Sequence, residues 1–338
     1  MQKDQQRKKR IDRCVKVRAD SIYAISSYKE LAFLYTPRLL LIIGTLLLPI
    51  LVSSLYWSKV LCLVGIYALL AIGLDFLANF VGLVCLGMAL FVGAGGYISG
   101  MLNATLGWSP ILTIPIGTVV GAFICTILLL PCLPLRGVYF AVVSFMYPLV
   151  AARIIAATGA FGGTDGIFGL SMLPNIWVNQ YVVLGLVLIS TFALRRLVNE
   201  DIGFVFRGIK ENEQSIKASG ISITSYKALG LFMAALMGCF AGAYLSHLYG
   251  WVGLSLLAMD FSIFPLAAVV LGGPGTIVGA LIGTLILVPA SEMMRAFAGL
   301  RIIFYSMLIV SFIIFWRQGL LNWLRRKYEQ FEYEVRIE

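Results

Sequence analysis

Charge is what this 338-residue chain has least of: Asp, Glu, Lys and Arg make up 12% of it, against about 25% in an ordinary soluble protein. A soluble domain of this length would lack the polar surface to cover its own core, which excludes a soluble enzyme or carrier. There is one histidine, His247, and a lone imidazole supplies neither a metal cluster nor a base held by an orienting partner. The cysteines Cys14, Cys62, Cys85, Cys125, Cys132 and Cys239 contain no CxxC pair, which argues against a disulfide framework or a thiolate metal centre. Five of them lie in or beside apolar runs, where cysteine behaves as a small hydrophobe. No Gly-x-x-x-x-Gly-Lys-Ser/Thr run occurs, so no ATP-binding loop is visible. No catalytic residue, metal ligand or bound cofactor is expected of this chain.

What is abundant is apolar. Hydrophobic residues reach 60%, against about 45–50% ordinarily, and the mean hydropathy is +0.93. The net charge of +10 raises nucleic acid as a partner, but much of it sits in the first 38 residues and after Trp316. Juxtamembrane Lys and Arg facing anionic lipid explain that placement more simply. A helix needs about 20 apolar residues to cross a bilayer. Candidate spans are 38–57, 60–80, 83–103, 110–132, 137–158, 177–194, 227–249, 260–272, 275–294 and 302–316. The eighth and ninth are short and separated by GGPG, so a re-entrant pair, and hence eight crossings, is the alternative. The long polar head before Leu39–Trp57 and the absence of a small-residue cleavage pattern speak against a cleavable signal peptide.

Basic residues set the orientation. With the N-terminus in the cytoplasm, ten spans put inside all but Lys59, Arg153, Arg295 and Arg301 of the 26 Lys and Arg. The expectation is an all-α integral membrane protein of about ten transmembrane helices with both termini cytoplasmic. It comprises a basic arm (1–37), a transmembrane domain (38–317) carrying a cytoplasmic loop at 195–227, and a tail (318–338).

That loop is the main polar stretch between spans, with Arg195, Arg196, Arg207, Lys210, Lys217 and Lys227. Asn199 can cap a helix, Glu200 and Asp201 suit the positive end of its dipole, and Glu213 and Lys217 are spaced for an i,i+4 pair. Val205, Ile209 and Ile216 make a thin apolar stripe suited to a groove on another protein, and Gly220 can end the helix in the left-handed conformation. An ordinary solvated loop would carry a similar charge pattern.

The run GFVFRGIKENEQSIKASGISITSYK resembles the cytoplasmic loop of permease subunits of branched-chain amino acid ABC importers, approximately G-R-A-x-R-A-I-R-E-D/N-E-x-A-A-x-x-x-G-I with a following Lys. Gly203, Arg207, Ile209, Lys210, Glu211, Asn212, Glu213, Gly220, Ile221 and Lys227 match. Phe204 stands where the family has Arg. Gly208 stands where it has Ala, which loosens the helix by roughly 1 kcal/mol. AIGLDFLANFVGLVCLGMALFVGAGGY (71–97), LRGVYFAVV (135–143), FGGTDGIFGL (161–170), LGGPGTIVGALIG (271–283) and WRQGLL (316–321) resemble further family blocks in the same order.

The resemblance implies a permease of the inner membrane with a second permease subunit, two ATPase subunits that bind MgATP, and an extracytoplasmic solute-binding protein. Its loop would be the ATPase-coupling helix, with Gly203, Arg207, Ile209, Lys210, Glu211, Glu213 and Gly220 as coupling residues. The implied cargo is a branched-chain or other hydrophobic amino acid; urea or a short amide is the alternative, because Cys85 and Met88 replace polar family residues. Asp75 is the one acidic residue well inside a span, and such carboxylates are functional candidates. Asp75, Cys85, Met88, the turn Gly162, Gly163, Thr164 and Asp165, and the pair Gly272 and Gly273 are candidates for the pathway or its external entrance.

Two other classes compete. An intramembrane hydrolase would need its acids together, and Asp75 lies in the bilayer while Asp165 falls outside. A secondary transporter would need several buried ionisable groups for ion coupling, and Asp75 stands alone.

Overall fold

The computed structural model describes residues 42–50, 54–135, 137–173, 175–294, 307, 310, 311 and 319–322. Residues 42–50 are helical. The basic arm, Cys14, Arg136, Arg295, most of the 302–316 span and most of the tail lie outside the described residues.

Long apolar runs leave the backbone no partner in lipid but itself, so they form helices. These are α1 (Leu55–Phe76), α2 (Met88–Leu106), α3 (Pro110–Leu129), α4 (Val138–Thr158), α5 (Ile176–Asn199), α6 (Asp201–Glu211), α7 (Glu213–Ala218), α8 (Ile223–Tyr249), α9 (Asp260–Gly272) and α10 (Val278–Met293). Among the described residues, six helices or helix runs are long and apolar enough to cross a membrane, while α9 and α10 are apolar but shorter. Six of the expected spans reappear as long apolar helices with shifted edges, and 260–272 and 275–294 as the shorter α9 and α10. The second expected span, 60–80, becomes α1 plus a π-helical turn, Leu77–Val81, and the third begins at Met88 after an irregular segment.

Burial separates the helices. The apolar window of α1 is 89% buried, against 22% for that of α4, so α1 is the central helix and α4 lies at the rim. Ile111, Phe123, Val138, Tyr139, Ile154 and Ile189 on α3, α4 and α5 are exposed, a surface that only lipid or another membrane subunit would cover. Five cysteines are buried and unpaired, as their apolar settings predict.

The helices place two sets of loops at opposite ends. At one end, the 195–227 loop meets the end of α1 and the start of α4, and the α9–α10 reversal meets that same end of α1. At the other, a two-residue antiparallel ribbon pairs β1 (Ile167–Phe168) with β2 (Trp251–Val252). The α9–α10 hairpin runs between them: its reversal touches Asp75, and Glu292 near its far end accepts a 3.1 Å hydrogen bond from Tyr56 at the start of α1.

Candidate functional site

The polar loop folds as two short helices rather than one. Asn212, at φ −153° and ψ 97°, breaks the path. Its side chain then caps α7 by accepting from the backbone N–H of Gln214 and Ser215. Asn199 is still in α5, and Glu200 occupies the N-cap position of α6 without a side-chain cap. Gly220 follows α7 at φ 78°, the left-handed exit expected of it.

The buried face of α6 is Gly203, Phe206 and Ile209, and it packs on the chain's own spans. Phe206 meets Phe76 and Tyr226 edge-to-face, with centroids 5.6 Å and 6.2 Å away. A Cβ on Gly203 would lie 2.1 Å from the Val198 carbonyl oxygen, so no other residue fits there. Ile209 therefore points inward, and the exposed side of α6 presents Ile202, Phe204 and Glu211, with Phe204 62% exposed.

Of the residues expected to transmit force, three are tied to their own chain. Arg207 donates to the Val198 carbonyl at 3.2 Å and lies 5.8 Å from the Phe204 ring centroid. Lys210 donates to the Asn79 carbonyl at 2.8 Å. Glu213 pairs with Lys227, whose side chain is 4% exposed, rather than with Lys217. The change of partner follows from the break at Asn212, which turns Glu213 towards α8. This loop lines a polar cleft of about 370 Å³ together with Gly82, Leu135 and Gly137. Gly82, at φ 82°, lets the chain leave α1 beneath Lys210; a Cβ there would sit 3.1 Å from the Lys210 backbone.

Asp75 lies among the packed helices. It is fully buried and accepts from the N–H groups of Gly275 (2.7 Å) and Ile277 (2.8 Å) and from the Asn79 side chain (2.7 Å). Cys85 and Met88 are also buried; a Cβ on Gly73 would lie 3.4 Å from the Met88 methyl. Gly272 and Gly273 are buried at the α9–α10 reversal. There a Cβ on Gly272 would overlap the Gly279 carbonyl, so Gly272 serves close helix packing, while Gly273 takes a positive φ of 121°.

At the ribbon end, Thr164 and Asp165 are exposed, as is Gly162, while Gly163 is buried. The Trp251 indole N–H donates to the Asp165 carbonyl at 3.2 Å, fastening the turn to the ribbon. Beneath it lies a polar cluster that sequence reasoning missed. His247 is fully buried, with Nε2 2.9 Å from the Ser99 and Thr113 hydroxyls and Nδ1 2.9 Å from the Ser171 carbonyl. A carbonyl only accepts, so Nδ1 carries the hydrogen and Nε2 of the neutral ring accepts from both hydroxyls. Asn103 continues the cluster, donating to Ser171 Oγ at 3.1 Å and accepting from the Ser171 N–H at 2.9 Å. His247→Ala would leave two buried hydroxyls, those of Ser99 and Thr113, without the ring nitrogen they donate to, at about 1–3 kcal/mol each before relaxation. The expected result is a thermal midpoint several degrees lower in detergent, with faster amide exchange over 166–173; an unchanged midpoint would show the cluster to be dispensable.

Among the described residues no group of three His, Cys, Asp or Glu side chains could hold a metal. The geometry is that of a polytopic helical membrane protein with a structured polar loop at one end and a pinned glycine turn at the other. Residues 56–316 match the family described as branched-chain amino acid transport system / permease component. The chain belongs to that family and is a membrane transport subunit, not an enzyme. It is 28% identical over 291 residues to the high-affinity branched-chain amino acid transport system permease protein LivM of Salmonella typhimurium, and equally to that of Escherichia coli. Each alignment covers 77% of this chain and 68% of the relative. A probable branched-chain amino acid transport permease protein LivM of Methanocaldococcus jannaschii is 25% identical over 223 residues, covering 59% of this chain and 64% of that protein. No solved structure matches the chain.

Proposed function

We propose that this permease is one half of the transmembrane pore of an ATP-driven importer in the inner membrane, carrying branched-chain or other hydrophobic amino acids. Its partners are a second permease subunit, two ATPase subunits that bind MgATP, and an extracytoplasmic solute-binding protein. The chain crosses ten times, with the arm 1–37 and the tail 318–338 in the cytoplasm and the permease domain over 38–317. The alternation of loop ends along the described chain supports this count. So does Gly319, which packs against Gly273 at the same end as the polar loop.

The observation that carries the reading is the mounting of α6. Its apolar face and Lys210 are seated on the chain's own spans, while Phe204 and Glu211 face outward. An ATPase gripping that outer face would move the end of α1 with it. At the opposite end, the turn Gly162–Asp165 is the receiving surface for the binding protein.

Glu211→Lys tests the assignment, because a reversed charge on the exposed face opposes docking without touching a span. Uptake of labelled leucine should fall about tenfold or more, with ATP hydrolysis by the complex continuing and the permease present in the membrane at the parental level. Normal uptake would remove 195–227 from the coupling role.

A further inference from the structure

One series of hydrogen bonds runs from the polar loop to the α9–α10 reversal. The Lys210 ammonium donates to the Asn79 carbonyl at 2.8 Å. The Asn79 side chain, one helical turn after Asp75, donates to Asp75 Oδ1 at 2.7 Å. That oxygen also accepts from the Gly275 N–H, and Oδ2 accepts from the Ile277 N–H at 2.8 Å. Gly275 and Ile277 belong to the reversal GGPGTI. Ile277 sits at φ 46°, a conformation that a β-branched residue adopts only where its surroundings hold it. Asn79 itself lies in the π-helical turn Leu77–Val81, a rare winding found frequently at functional sites.

We propose that Asp75 is a positioning residue for transport. It fastens the reversal to the inner end of α1, so that motion of α6, received at Asn79 through Lys210, carries α9 and α10 along with α1. The carboxylate is fully buried and held by three donors of its own chain, so it acts on the helices and not on cargo. Aspartate suits the place better than asparagine. Both of its oxygens accept, whereas an amide would turn an NH₂ group towards one of the two backbone N–H donors. The inference rests on the reading of 195–227 as the ATPase-driven element and adds the place where its motion is delivered.

The test uses the full chain in complex with its partner permease and ATPases, reconstituted in proteoliposomes. Two quantities are read: labelled leucine taken up per ATP hydrolysed, and ATPase retained on purification. Asp75→Leu and Lys210→Met should each lower the uptake per ATP about tenfold, within the usual range for coupling between sites, with the ATPase retained. Lys210→Arg should restore the ratio, and the isosteric Asp75→Asn should fall between parent and Asp75→Leu; it carries the test if the leucine variant does not accumulate. Because both changes cut one series, the double variant should be no worse than Asp75→Leu alone.

Multiplied losses in the double variant, or a parental ratio in Asp75→Asn, would overturn the proposal. Loss of the ATPase in Lys210→Met would also overturn it, by putting Lys210 on the partner's surface, while leaving the loop as the ATPase seat. A parental chain that retains no ATPase would fell the loop assignment and this inference with it, and that is visible before any variant is compared.

Discussion

Glu213→Ala is expected to destabilise the protein by about 3–5 kcal/mol, the cost of leaving one member of a buried ion pair without its partner. The Lys227 side chain is 4% exposed and that of Glu213 20%, so the two single changes are not equivalent. Removing the carboxylate strands an ammonium that water barely reaches. Lys227→Met leaves a carboxylate that water reaches in part, and it should cost less. Replacing both, as Glu213→Leu with Lys227→Met, removes the desolvated charges together and should return stability to within about 1 kcal/mol of the parent. Denaturant unfolding in detergent micelles reads all three. The order Glu213→Ala, then Lys227→Met, then the double replacement, from most to least damaging, is the signature of a buried pair. Equal losses in all three would mean that α7 and α8 are joined by packing alone.

That pair also shows where the sequence was readable and where it was not. Spans could be read because lipid imposes length and apolarity, properties that are summed over many residues. Their edges could not, because α1 ends in a π-helical turn and an irregular segment precedes α2, features of backbone geometry that hydropathy does not register. In the loop, Gly220 could be read from its residue type. The break at Asn212 was hidden inside a run that favours one continuous helix, and with it went the true partner of Glu213.

The polar contacts divide by distance along the chain. Asn79 lies four residues after Asp75, a spacing that places both on one helix face. The other donors to Asp75 are 200 and 202 residues away, and the hydrogen-bond partners of His247 are 76 to 148 away. No periodicity links residues so far apart. A lone histidine and a lone aspartate therefore looked isolated, although each is the centre of a satisfied cluster. The same holds for Ile209, whose place in an apolar stripe was legible while the direction of that stripe was not. Tertiary packing turned it inward, on the buried face where Phe206 meets Phe76 and Tyr226, instead of towards a partner.

The glycines of α2 and α8 carry the other large expectation: Gly242→Val should abolish the stable protein. α2 and α8 are the most extensively packed helix pair, and their backbones meet where side chains are missing. A Cβ on Gly242 would lie 1.8 Å from the Val92 carbonyl oxygen, and a Cβ on Gly95 would lie 2.0 Å from the Cys239 carbonyl oxygen. The clashes are with backbone on both sides, so no rotamer change relieves them. The helices would have to separate, and in lipid no hydrophobic force restores a contact whose strength was close packing. Gly185 on α5 is the control, because a Cβ there meets nothing within 4 Å. Gly185→Ala should therefore be neutral or stabilising by roughly 0.5–1 kcal/mol. Membrane accumulation and thermal midpoint measure both variants side by side. Gly242→Val at parental level, with a parental midpoint, would mean that α2 and α8 do not approach at Val92. Loss in both variants would mean that glycine is required in these helices for something other than the space between them.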